Sequence, residues 1–154
     1  MAAQEYLSFI LDSEEYAVPI LDVREVRGWS NIRTVPNSPD FLHGVLEIRG
    51  EYVPIVDLRK RFGLEPAVIN ATTVVIVLND GHAQPLGIIV DAVSEVYDLN
   101  EEDIIPAPKM SLTFKEAFIV GIASANQTHV ILINLEALFD VTELNQLTEE
   151  KALI

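Results

Sequence analysis

The sequence predicts an all-β protein built from two similar small barrels. Three observations carry that reading: short runs rich in Val, Ile and Tyr, turn-forming residues between them, and a strand pattern that recurs about half a chain later. At 154 residues and 49% hydrophobic, the chain is long enough for one well-buried core, or for two small ones sharing an interface. A single compact unit is expected.

The strand-like runs, in order, are YLSFIL (6–11), EYAVPILDVREV (15–26), EYVPIVDL (51–58), TTVVIVL (72–78), PLGIIVDAVSEV (85–96) and HVILINL (129–135). DSEE (12–15) and NDGHAQ (79–84) read as hairpin connections, the second carrying the turn pair Asp80-Gly81. Pro19 and Pro54 fall inside strand-like runs, and a residue with no N–H to donate places those strands at an edge or bends them there. Val18, Ile20, Val23 and Val26 first alternate and then change spacing, as around a bulge near Pro19 or Leu21.

Helix is scarce. LRKRFG (58–63) reads as one turn stopped by Gly63, NEED (100–103) as a cap with an acidic first turn, and LEALF (135–139) as a second short turn. The stretch from Thr142 to Ile154 sets Leu144 and Leu147 one turn apart and is expected to form a docked C-terminal helix, 141–154.

The repeat has two registers. Val23, Glu25 and Val26 fall on Val93, Glu95 and Val96, each 70 positions on. Gly44, Val53, Asp57, Leu58 and Phe62 fall on Gly121, Val130, Asn134, Leu135 and Phe139, each 77 positions on. Two small barrels, each too small to bury its strands alone, would pack on one another, with a groove between them. Approximate subdomains run from 14 to 67 and from 68 to 140, and the N-terminal strand is free to cross between them.

The net charge of −14 is unevenly placed, with a net +2 between Arg24 and Arg61 and a net −16 elsewhere. Such a small basic excess on an acidic chain argues against nucleic acid and anionic lipid as partners, and for proteins. Arg59, Lys60 and Arg61 could steer association with acidic partners, but simple solubilising charge is the favoured reading. No run reaches the roughly 18 apolar residues of a membrane helix, the N-terminus lacks the pattern of a signal peptide, and there is no cysteine. Cytoplasm is the expected compartment.

Catalysis finds no support. His43, His82 and His129 are isolated and lack metal-ligand spacing, and there is no Walker A loop, G-x-S-x-G elbow or G-x-G-x-x-G. The acidic runs at 13–15 and 100–103 are ordinary turn and first-turn acids. No catalytic, metal or cofactor-binding residue is proposed.

Read in order, YAVPILDVREVRG, VPNSPDFLHGVLEIRGEYVPIVDLRKRFG, VVIVL, GIIVDAVSEV and LINLEALF make the chain from about Tyr6 to Phe139 resemble the CheW family of chemotaxis coupling proteins. One position departs: the family usually reads N-L-R-G before the bend, where Glu47-Ile48-Arg49-Gly50 stands here. The resemblance implies two five-stranded, SH3-like or OB-like barrel subdomains over a shared hydrophobic core, and a non-enzymatic adaptor without cofactor. Its implied partners are the cytoplasmic hairpin tip of methyl-accepting chemoreceptors and the regulatory domain of the histidine kinase CheA. The protein would then sit at inner-membrane receptor arrays through its partners, without inserting. The alternatives are an adaptor of a parallel pathway, such as twitching motility or differentiation, and a small-molecule-binding β-barrel.

A receptor tip is a helical hairpin and seats in an apolar groove with a charged rim. Val23, Val93 and Val96 are the candidates for the groove wall, with core packing as the competing reading. By resemblance, Glu25, Gly44 and Arg49 face the receptor: Gly44 permits close backbone approach, Arg49 offers a planar fork, and Glu25 orients it. For the kinase, DIIPAPKM (103–110) matches a family segment, and Ile105 and Met110 are the expected apolar contacts. The competing reading there is a proline-held loop packed on its own barrel.

Overall fold

The computed structural model describes residues 4–30, 32–34, 36, 42–79, 85–106, 119–125 and 127–133. Among them are β1 (Gln4–Leu11), β2 (Glu14–Pro19), β3 (Val23–Gly28), β4 (Leu42–Ile48), β5 (Glu51–Asp57), α1 (Leu58–Arg61), β6 (Val74–Asn79), β7 (Pro85–Val90), β8 (Ala92–Leu99), β9 (Ile104–Pro106), β10 (Ile119–Ala125) and β11 (Thr128–Ile133). The chain is all-β, as its composition predicts. The expected turn at 79–84, the short helix at 135–139 and the C-terminal helix lie largely or wholly outside the described residues.

Two sheets form, one of six strands ordered β8-β1-β2-β11-β10-β9 and one of five ordered β3-β6-β7-β5-β4. Their registers repeat. Leu42 pairs with Val56, a bulge follows, and Gly44 pairs with Ile55; 77 positions on, Ile119 pairs with Ile133, a bulge follows, and Gly121 pairs with Leu132. The parallel pair of β5 and β7 sets Ile55 opposite Gly87, and that of β11 and β2 sets Leu132 opposite Ala17. Val23 opposite Leu78 has its counterpart in Val93 opposite Phe9. The six-stranded sheet adds β9 to this shared five-strand plan.

Sheet membership does not follow the 14–67 and 68–140 division. The β1–β2 hairpin joins β8, β10 and β11 of the later half, while the β6–β7 hairpin joins β3, β4 and β5 of the earlier half. Each repeat gives a hairpin to the other. The runs 15–26 and 85–96, expected as single strands, are therefore each cut in two. A 3-10 turn at Ile20–Asp22 carries the chain from one sheet to the other after Pro19, which cannot extend the ladder, and Asp91 does the same between β7 and β8. The bulge expected near Pro19 or Leu21 lies instead between Val23 and Glu25. Pro54 is in an inner strand rather than an edge, which costs no hydrogen bond because the β5–β7 ladder begins only at Ile55.

This exchange explains the unbroken apolar runs. Leu7, Phe9, Leu11, Tyr16 and Val18 from one sheet meet Val56, Ile76, Leu78, Ile88 and Val90 from the other in a shared core. The opposite faces of the same strands fill each sheet's own interior, with Tyr6, Ala17 and Leu132 in one and Ile55, Val75, Val77 and Ile89 in the other. All six residues of β7 are buried. A strand covered on both faces loses the alternation of a half-exposed one.

Two predicted turns form as their residues dictate. Asp57 caps α1 by accepting the Arg59 N–H at 3.1 Å, and Gly63 follows at φ 77°. Asn100 and Asp103 make a capping box around the 3-10 turn at Glu101–Asp103.

Candidate functional site

Strand β3 carries the first part of the site. Its side chains alternate, with Val23, Glu25 and Arg27 partly buried and Arg24, Val26 and Gly28 exposed. Val23 packs against the shared core, as does Val93 of β8. The two equivalent valines thus lie at the margin of one core. Among the described residues, apolar side chains from both sheets fill the space between the halves, and the two valines pack against that core. Val96, 47% exposed, is more open than the two partly buried valines.

The β4–β5 turn supplies the charge. Arg49 has φ 51° and Gly50 φ 83°, two consecutive left-handed residues that match the twist of a tight hairpin. This conformation stands the Arg49 side chain out, 78% exposed, with one nitrogen 3.9 Å from Glu25 Oε2. Arg27 approaches the same oxygen at 3.5 Å, and Glu25 Oε1 is buried without a hydrogen-bond partner. On the outward face of β3, Arg24 donates to Glu51 at 3.0 Å. The Arg49–Glu25 and Arg24–Glu51 pairs join β3 to the β4–β5 turn, which lies at the far end of the strand order, so the five-stranded sheet curls until its ends meet.

Gly44 plays a different part from the one the residue type suggests. A Cβ there would collide with the Arg33 carbonyl and stand 2.8 Å from Ile32 Cγ2, so the backbone it admits is the chain's own. Arg33 and Val45 exchange both backbone hydrogen bonds, at 3.0 and 2.8 Å. Gly121 repeats the arrangement, with a Cβ 2.7 Å from the Ile105 carbonyl.

Sequence reasoning missed several contributors. Beside the expected Ile105, 62% exposed on β9, the unpredicted Val120 is also open, 55% exposed at the β10 bulge. The equivalent bulge residue in the other half, His43, is covered by Trp29, with ring centroids 5.4 Å apart at 80°. Met110 lies outside the described residues.

Arg59 is not a simple solubilising charge. Its side chain is only 16% exposed; it donates to Asp91 Oδ2 at 2.7 Å and to the Glu65 carbonyl at 2.8 Å, and reaches Asp12 Oδ1 at 3.4 Å. Asp57, 2% exposed, accepts the Ala67 N–H at 3.0 Å as well as capping α1. The sequence hint was an acid directly before a short helical turn. Among the described residues, no group of three or more His, Asp or Glu is arranged to hold a metal, and no helix is long and apolar enough to cross a membrane.

The family described as "CheW-like domain" matches residues 5–143. Chemotaxis protein CheW of Klebsiella aerogenes is 40% identical over 141 residues, spanning 92% of this chain and 84% of that protein. A probable chemotaxis protein CheW of Rhizobium etli is 38% identical over 140 residues, 91% of this chain and 90% of that one. The crystal structure of the scaffolding protein TtCheW from Thermoanaerobacter tengcongensis superposes with a TM-score of 0.84 at 35% identity, covering 93% of this chain and 96% of that chain.

Proposed function

Because this chain belongs to the CheW-like domain family, whose members are scaffold proteins and not enzymes, we propose that it couples a chemoreceptor tip to the histidine kinase CheA. The observation that carries the receptor half is the exposed Arg49 fork held beside Glu25, on the strand that brings Val23 to the edge of the shared core. A helical hairpin seats apolar residues along Val23, Val93 and Val96 and offers a carboxylate or side-chain amide to Arg49. Gly44 supports this surface by letting the 32–33 segment lie against β4.

The kinase half rests on the other sheet, where Ile105 and Val120 are exposed, and on Met110 as the family resemblance implies it. Because the two halves share one plan, the CheA regulatory domain, which the family resemblance implies is itself CheW-like, can meet this end in a heterologous contact. The protein acts in the cytoplasm and reaches the membrane through the receptor. Co-sedimentation with receptor-containing membranes and the isolated CheA regulatory domain tests the reading. The expected result is a complex holding all three; failure to retain either partner at micromolar protein would refute it.

A further inference from the structure

The two crossings between the sheets are unequal. At the first, Ile20–Asp22, none of the residues is buried and Leu21 is 83% exposed. At the second, Asp91 is held from several directions: its N–H donates to the Ile10 carbonyl at 3.0 Å, its carbonyl accepts from Thr72 Oγ1 at 2.9 Å, and its carboxylate takes the Asp12 N–H at 2.9 Å and Arg59 at 2.7 Å. Arg59 stands at the junction of three elements. It belongs to α1, which continues β5 of the five-stranded sheet, and it reaches the turn of the hairpin lent to the six-stranded sheet and the crossing itself.

We propose that Arg59 is a positioning residue that fixes the angle between the two sheets and thereby couples the receptor-facing margin to the kinase-facing end. A rotation of one sheet on the other must break or bend short, charge-assisted bonds at Asp91. The pivot is therefore the clamped crossing. Val23 directly follows the first crossing and Val93 comes two residues after the clamped one, so the spacing of the two valines reports the angle. This coupling rests on the two-partner reading above; the clamp itself does not.

Spin labels at Tyr52→Cys and Glu101→Cys, exposed positions on the two halves of a chain without native cysteine, measure the angle directly in the full protein. Arg59→Gln is expected to broaden the distance distribution, and Arg59→Lys, which keeps the charge but loses the fork, to restore it in part. With both partners present, Arg59→Gln should lower kinase stimulation about tenfold while each separate affinity is retained, a size ordinary for coupling between sites. A distribution as narrow as the parent's would overturn the clamp. A broad distribution with unchanged stimulation would overturn the coupling. Should Arg59→Gln not fold, Asp12→Asn takes the charge from the outermost contact and is read with the same labels. Since the spectroscopic arm needs no partner, failure of the two-partner reading leaves the clamp still decided.

Discussion

The carbonyl of Arg33 occupies the space that a side chain on residue 44 would need, and it accepts the Val45 N–H at 2.8 Å from that position. Backbone cannot give way as a flexible side chain can. Gly44→Ala is therefore expected to destabilise the fold by about 1–3 kcal/mol, the ordinary cost of overpacking. Gly121→Ala should cost a similar amount through Ile105. Urea denaturation of both variants checks this, and a Gly44→Ala protein with parental stability but lost receptor binding would make Gly44 a contact residue instead.

Arg49 separates binding from folding in the opposite direction. Its φ of 51° is strained for a residue with a Cβ, so Arg49→Gly relieves the turn while removing the guanidinium. Stability should stay level or rise by up to about 1 kcal/mol, with the greater entropy of the unfolded glycine chain opposing the gain. Receptor co-sedimentation should weaken. Retained co-sedimentation would take Arg49 out of the proposed site.

The exchange of hairpins makes each half incomplete. A chain cut between Ala67 and Val68 leaves Leu7, Phe9, Leu11, Tyr16 and Val18 in a first fragment without Ile76, Leu78, Ile88 and Val90 to cover them. Neither fragment alone should unfold cooperatively, and an equimolar mixture should regain the circular dichroism and melting of the intact protein. A sharp melting transition from the first fragment by itself would contradict this.

Two phenols link stability to alkaline pH. Burial pushes Tyr16 up to about 12, with the charges of Glu14 and Asp12 adding to it; burial does the same to Tyr97, helped by its 2.7 Å hydrogen bond to Glu15. A group that holds its proton more tightly when folded contributes fully below the ordinary value of 10.0, and that contribution is lost as pH rises toward about 12. Denaturant midpoints should therefore fall across that window, and Tyr16→Phe should flatten the fall. An equally steep fall in Tyr16→Phe would remove Tyr16 as a cause.

The all-β class, the repeat and the short turns were legible because local chemistry sets them: Asp57 before Leu58, Gly63 after Arg61, and β-branched runs such as VVIVL. Which sheet a hairpin joins was not legible, since β2 and β7 read alike and their partners lie far along the chain. Strands β4, β9 and β10 escaped because GVLEI and IVGIASA lack clean alternation and β9 has three residues. The residue types of the proposed site could be read, but not its geometry. A valine packed half against a core gives the same letter as one packed fully, and Arg59 meets Asp12 and Asp91 from 47 and 32 positions away.

The parallel seam between Tyr16–Ala17 and Ile131–Leu132 also governs assembly in time. During synthesis, the β1–β2 hairpin leaves the ribosome over a hundred residues before the strand that pairs with its β2 edge. That edge stays open until β11 has emerged, so closure of the six-stranded sheet is a long-range event. An unpaired strand edge of this kind exposes the newborn polypeptide to self-association and makes chaperone capture most valuable before β11 is made.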